Sequence, residues 1–175
     1  MSRNTNITPT SKEHTLKPDD LIVTKTDLKG HITYANEKFL SISVLEEAET
    51  LGQPHSIIRH PDMPKAVFHL LWDTIKRGNE FFGVIKNMAT DGSFYWVFAN
   101  ITPSYDEQHK VVGFFSVRRQ ANKELINTMS NLYQKMVQEE KHHGEKQAIK
   151  ASTQILNDFF DEKGVSYDEY LLSFV

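Results

Sequence analysis

The side chains best suited to chemistry gather in one run, Gly52-Gln53-Pro54-His55-Ser56-Ile57-Ile58-Arg59-His60-Pro61-Asp62-Met63-Pro64-Lys65. Arg59 offers a forked cationic donor, Lys65 a point charge beside a helix start, and His60 and Asp62 further polar groups, a set that could clamp a phosphate or another anion. Three prolines fix their own φ and push the residue before each out of the helical region, which keeps His60 and Met63 outside any helix interior. Such a corner is rigid enough to hold a ligand. The same residues also read as a solvated loop in which Asp62 caps a helix that begins at Pro64. Phe68 and Trp72, four apart on that helix, share a face that can stack on a planar ring or serve as plain core. Asn87 interrupts a strand of Phe, Val, Ile and Met and needs a partner if buried; facing inward, it could meet the edge of a heterocycle. Asn36, taken alone, reads as a helix N-cap.

Other chemistries lack their residues. The chain has no cysteine, which removes disulfides, thiol nucleophiles, Cys-ligated zinc, iron-sulfur clusters and cysteinyl flavin photochemistry. Its eight histidines are irregularly spaced, with no His-x-x-x-His pair, so no metal centre is expected; His55, His60 or His69 could each ligate haem, for which one imidazole suffices. There is no phosphate-binding glycine loop and no Gly-x-Ser-x-Gly, and hence no footing for a kinase or a hydrolase. A net charge of -3 with scattered basic residues does not draw the chain to nucleic acid or to an anionic membrane. Residues 1–17 have no apolar core for a signal peptide, and no apolar run approaches the ~18 residues of a membrane span, so a cytoplasmic location without membrane insertion is expected.

The elements that must position these groups follow from hydrophobic period. Leu21–Thr26 and His31–Ala35 read as strands joined through Asp27-Leu28-Lys29-Gly30. A short helix over 37–41, a loop through Gly52 and the proline corner come next. Ala66, Val67, Leu70, Leu71, Thr74 and Ile75 then mark a helix over 64–76. Runs 81–88, 94–102 and 111–118 form an antiparallel meander. The sum is an α+β domain, a five-stranded antiparallel sheet with its helices on one face. Residues 1–17, rich in Asn, Thr and Ser, read as a flexible arm, 18–120 as the folded α+β domain, and 121–175 as a helical C-terminal extension. In that extension Leu125, Met129, Leu132 and Met136 make an apolar stripe that either pairs with a second copy, docks on a partner or folds back on the sheet.

Taken together, the strand ending Ile32-Thr33-Tyr34-Ala35-Asn36, the run Gly52-Gln53-Pro54-His55 through Arg59-His60-Pro61-Asp62-Met63-Pro64-Lys65, Trp72, and Lys86-Asn87 resemble a PAS domain. More narrowly, residues 20 to 120 resemble the flavin-binding PAS domain of bacterial aerotaxis and energy-taxis receptors. The resemblance implies a PAS fold, FAD held non-covalently, and a redox or energy sensor rather than an enzyme. Carried over by position, it makes Arg59, His60 and Asp62 FAD-site residues, with Phe68 and Trp72 packing at the flavin or adenine side and Asn36 and Asn87 contacting the flavin. Ser43-Val44-Leu45 stands where the family has Ser-Gly-Tyr, which alters a turn before the pocket. The helical tail takes the place of a receptor's membrane segment, linker and methyl-accepting region. The resemblance therefore implies a stand-alone sensor, homodimeric through its PAS surface or C-terminal helix, working with a membrane-bound chemotaxis receptor. A haem-binding PAS sensor and a ligand-free interaction module are the alternatives.

Overall fold

The computed structural model describes residues 6–175, and their alternating runs build one antiparallel sheet with the order β2-β1-β5-β4-β3. β1 (Ile22–Thr26) and β2 (Ile32–Ala35) form the opening hairpin. Gly30 turns it at φ 84°, a conformation that suits a residue without Cβ. The helical insert follows as α1 (Glu37–Ser43), α2 (Glu47–Thr50), one 3₁₀ turn (His55–Ile58) and α3 (Lys65–Lys76). β3 (Phe81–Met88), β4 (Phe94–Tyr105) and β5 (Val111–Arg119) complete the sheet. Side chains alternate between faces, so the pairs Ile85↔Val97 and Asn87↔Tyr95 point one way and Lys86↔Trp96 the other.

Asn36 takes the capping role read from its position. Its Oδ1 accepts from Phe39 N at 3.0 Å and from Val23 N at 3.1 Å, while its Nδ2 donates to the Leu21 carbonyl at 2.9 Å. One side chain thus ties the start of α1 to β1. The helix runs on to Ser43 and ends at Val44, whose φ of 55° is uncommon for a β-branched residue. α2 occupies a stretch expected as loop, since its single turn is too short to show a 3.6-residue period.

The arm departs from expectation. Residues 1–5 of the expected 1–17 arm lie outside the described residues. From Thr10 onward the backbone pairs with the β3–β4 end of the sheet: Thr10 N donates to Gly92 O at 2.9 Å, His14 N to Phe94 O at 2.8 Å, and Phe94 N to Lys12 O at 2.9 Å. Leu16 is buried in the core, and Gln120 Nε2 donates to its carbonyl at 2.7 Å. A segment with no apolar period is therefore held in place by main-chain pairing rather than by a hydrophobic face.

The tail forms α4 (Lys123–Glu140), α5 (Glu145–Lys163) and α6 (Tyr167–Leu172). The Leu125, Met129, Leu132, Tyr133 and Met136 stripe is buried against the domain in the same core cluster as α3 and the sheet. Tyr133 OH donates to the Val84 carbonyl of edge strand β3 at 2.7 Å. The stripe is thus satisfied within its own chain, the fold-back arrangement. Among the described residues no helix is long and apolar enough to cross a membrane.

Candidate functional site

Between α3, the 3₁₀ turn and the inward face of the sheet lies a cavity of about 380 Å³. That is near the lower end of the range for small-molecule sites, roughly 300–1,000 Å³. Helical spacing sends Phe68, Leu71, Trp72 and Ile75 of α3 toward it, while β3, β4 and β5 contribute Ile85, Ile101 and Phe114. These side chains make much of the wall apolar. Trp72 meets Phe114 edge-on at 5.7 Å and covers Gly30, where an added Cβ would sit 2.9 Å from the indole. The Arg59 guanidinium stacks on the Phe68 ring at 3.6 Å.

The polar chemistry sits at the sheet. Asn87, Ser116 and Arg118 line the cavity and are 4 %, 7 % and 3 % exposed. Ser116 Oγ and Arg118 Nε have no hydrogen-bond partner among the described residues, while the Asn87 amide faces the Tyr95 hydroxyl beside it. Buried donors without acceptors are expensive, so these two on one wall are candidates to meet a ligand's acceptors. Arg118 also donates from its other nitrogen to Thr24 Oγ1, and that hydroxyl lies 3.0 Å from His55 Nε2. With Thr24 accepting from the cation, its own proton is left for His55, which fixes an Arg118–Thr24–His55 chain. Around Arg118 are the Phe39 ring, 5.3 Å away, and buried Tyr95, whose hydroxyl pairs with Ser43 Oγ at 2.7 Å. Burial pushes the Arg118 guanidinium down to about 10, so it remains charged at neutral pH. The lining holds Lys29, Arg59 and Arg118 but no carboxylate.

Of the residues singled out by sequence, Arg59, Phe68, Trp72 and Asn87 come together on this cavity, whereas Asn36, His60 and Asp62 lie outside its lining. Asn36 caps α1. His60 is buried, and its Nδ1 accepts the Asp62 amide at 3.0 Å, which holds the corner's backbone in shape. Asp62 does not cap α3; its carboxylate pairs with Lys86 Nζ at 2.8 Å. Sequence reasoning passed over Gly30, Ser116 and Arg118. The signal was present for two of them: Phe114, Ser116 and Arg118 alternate along β5 and so share the inward face.

Comparison with known proteins accords with this geometry. Residues 32–118 match the PAS fold. The chain belongs to the PAS family. Over 124 residues this PAS protein is 40% identical to the aerotaxis receptor of Escherichia coli K12, a match covering 71% of this chain and 24% of the receptor. It is 27% identical to a nitrogen fixation regulatory protein of Klebsiella pneumoniae over 55% of this chain and 20% of that protein. The chain thus spans about a quarter or less of the length of these curated relatives. The PAS fold is also that of a light-oxygen-voltage domain from a flavin-analogue study, with a TM-score of 0.55 at 20% identity covering 62% of this chain and 82% of that one. The light-state structure of the blue-light photoreceptor Aureochrome1 LOV superposes at a TM-score of 0.56 with 17% identity, covering 65% and 90%.

His55 gives the PAS domain a pH dependence. Burial first, then the Arg118 and Arg59 charges, push its imidazole down to about 3. In the unfolded chain the imidazole titrates near ~6.5, so between those values the unfolded state binds the extra proton and stability rises with pH. The His55 contribution is complete above pH ~6.5 and is lost progressively as pH falls toward 3. Because at most one proton is involved, the loss per pH unit below 6.5 stays under about 1.4 kcal/mol. Urea unfolding at pH 7 and pH 5 is expected to show a smaller loss in His55→Asn than in the wild type.

Proposed function

We propose that this PAS domain binds FAD non-covalently and works as a cytoplasmic redox or energy sensor for a chemotaxis-type signalling partner. The observation that carries the reading is the row of buried polar groups on one wall of the cavity, Asn87, Ser116 Oγ and Arg118 Nε, the last two without a hydrogen-bond partner among the described residues. A planar ring with carbonyl and ring-nitrogen acceptors along one edge fits them. Trp72 and Phe68 would pack at its faces, and Arg59 and rim residue Lys29 are the cations available to a diphosphate. When bound, a flavin supplies reversible electron transfer accompanied by a change in ring protonation. Asn87 and Arg118, which line the cavity, would hold the polar edge of the ring and so register its change in charge and hydrogen bonding. A redox change shifts the protein only as far as the two forms bind with different free energy, and an uncompensated cation provides such a preference.

Haem fits less well. His69 is exposed on α3, His60 lies outside the cavity, and His55 Nε2 is engaged with Thr24. A catalytic role would need an acid or base at the site, and His55 is the one weak base facing the cavity. The 40% identity to the aerotaxis receptor of Escherichia coli K12 supports a chemotaxis-type signalling role, with a membrane-bound receptor as the proposed partner. Homodimerisation would use the PAS surface, because the α4 stripe is already buried. Titrating ligand-free protein with FAD, followed by flavin fluorescence, is expected to saturate at one per chain. Asn87→Ala and Trp72→Ala should each weaken binding about tenfold, the equivalent of one lost hydrogen bond or stacking contact. Unaltered affinity in both variants would remove the site from this cavity.

A further inference from the structure

We propose that Glu140, the last residue of α4, latches the tail to the cavity wall, so that tail docking and the position of α3 are coupled. α3 begins after Pro64, which provides no side-chain cap. Its first amides are instead met from 75 residues away: Lys65 N donates to Glu140 Oε2 at 2.9 Å, and Ala66 N at |i−j| of 74 donates to Oε1 at 3.1 Å. Both oxygens of one carboxylate therefore satisfy two of the orphan donors at the positive end of a helix. Among the described residues these two hydrogen bonds are the polar contacts that join the end of α4 to α3.

The surroundings make this contact consequential. Beyond Met136 no residue of α4 is buried. Instead, a second cavity of about 290 Å³ lined by Asp62, Lys86, Trp96, Tyr133, Gln134 and Lys141 separates this end of the helix from the sheet. The end of α4 is followed directly by α5, which packs on both α4 and α3, and the Glu140 hydrogen bonds are its direct polar tie to α3. On its other side α3 presents Phe68, Leu71 and Trp72 to the first cavity. A small rotation or shift of α3 would move Lys65 N and Ala66 N relative to Glu140, and hydrogen bonds weaken steeply with distance and angle. By linkage, whatever fixes α3 also favours the docked tail, and the docked tail favours that position of α3.

The coupling to a ligand rests on the flavin reading; the latch itself does not. Hydrogen exchange on the full chain separates them. In Glu140→Gln the amides of Lys65, Ala66 and the last turn of α4 should exchange at least tenfold faster, while Glu139→Gln, which loses only a contact to His143, should match the wild type. Leu71→Ala, on the cavity side of α3, should quicken exchange in the last turn of α4 in the wild-type background and add nothing in the Glu140→Gln background. With FAD added, the tail of the wild type should become more protected and that of Glu140→Gln much less so. Equal exchange in Glu140→Gln and wild type, or a Leu71→Ala effect of the same size in both backgrounds, overturns the proposal. Failure of the wild type to take up FAD would overturn the flavin reading while leaving the Leu71→Ala comparison to decide the latch.

Discussion

Replacing Arg118 by Met is expected to move two quantities in opposite directions, with affinity for FAD falling at least a hundredfold while the ligand-free protein becomes more stable by about 1–3 kcal/mol. The guanidinium is 3 % exposed and has no carboxylate on its cavity, so it is desolvated without the charge that would offset this. A methionine fills much of the same volume without a charge. The hydrogen bond to Thr24 is lost, at about 1 kcal/mol, which is smaller than the desolvation it accompanies. Removing the strongest donor from the ligand's site is worth more than a neutral hydrogen bond, and 2.8 kcal/mol corresponds to about a hundredfold. Urea unfolding and FAD titration on the same preparation check both halves. If stability and affinity fall together, Arg118 is a structural residue and its place in the site is wrong.

A comparably large effect is expected from Met129→Lys in α4. Met129 is fully buried in the core that the tail shares with the sheet and α3. The substitution removes a well-packed side chain and places an ammonium where no partner waits, a combination worth about 3–5 kcal/mol. For a chain of this size that lowers the melting temperature by about 10 °C. It also frees the apolar stripe of Leu125, Leu132 and Met136, so the variant should associate on size-exclusion chromatography. A single melting transition displaced as a whole is expected. Were the tail an independent appendage, the domain's own transition would stay where it is in the wild type.

How far these elements were legible in the sequence depended on whether their cause was local. The strands of the meander and the α3 helix carry clean period-two and period-3.6 patterns, and each appears within a residue or two of its expected position at most ends. Asn36 could be read as a cap because its partner, the Phe39 amide, is three residues away. The cap of α3 could not, since Glu140 reaches it from the far end of the tail and Asp62 was the nearest acidic residue in sequence. Lys86, on the opposite sheet face from Asn87, draws Asp62 away instead. The same limit hid the docking of residues 10–17, where backbone groups pair with Gly92 and Phe94 and the side chains give no hint.

Within the site, the aromatic face of α3 and Asn87 stood out because each broke or reinforced a local pattern. His60 and Asp62 stood out for the same reason, yet their task is to shape the corner that delivers Arg59. Arg118 shares the inward face of β5 with Phe114 and Ser116 by simple alternation, but which face is inward follows from the sheet's register against β1 and β4. With Lys29 and Arg59, the inward arginine makes this cavity cationic.

A flavin in this cavity would colour the protein. Freshly purified chain should show the two visible absorption bands of an oxidised flavin, and heating should release FAD, identified by chromatography of the supernatant. Colourless protein that takes up no FAD on refolding in its presence, or a Soret band in place of the flavin bands, would contradict the account.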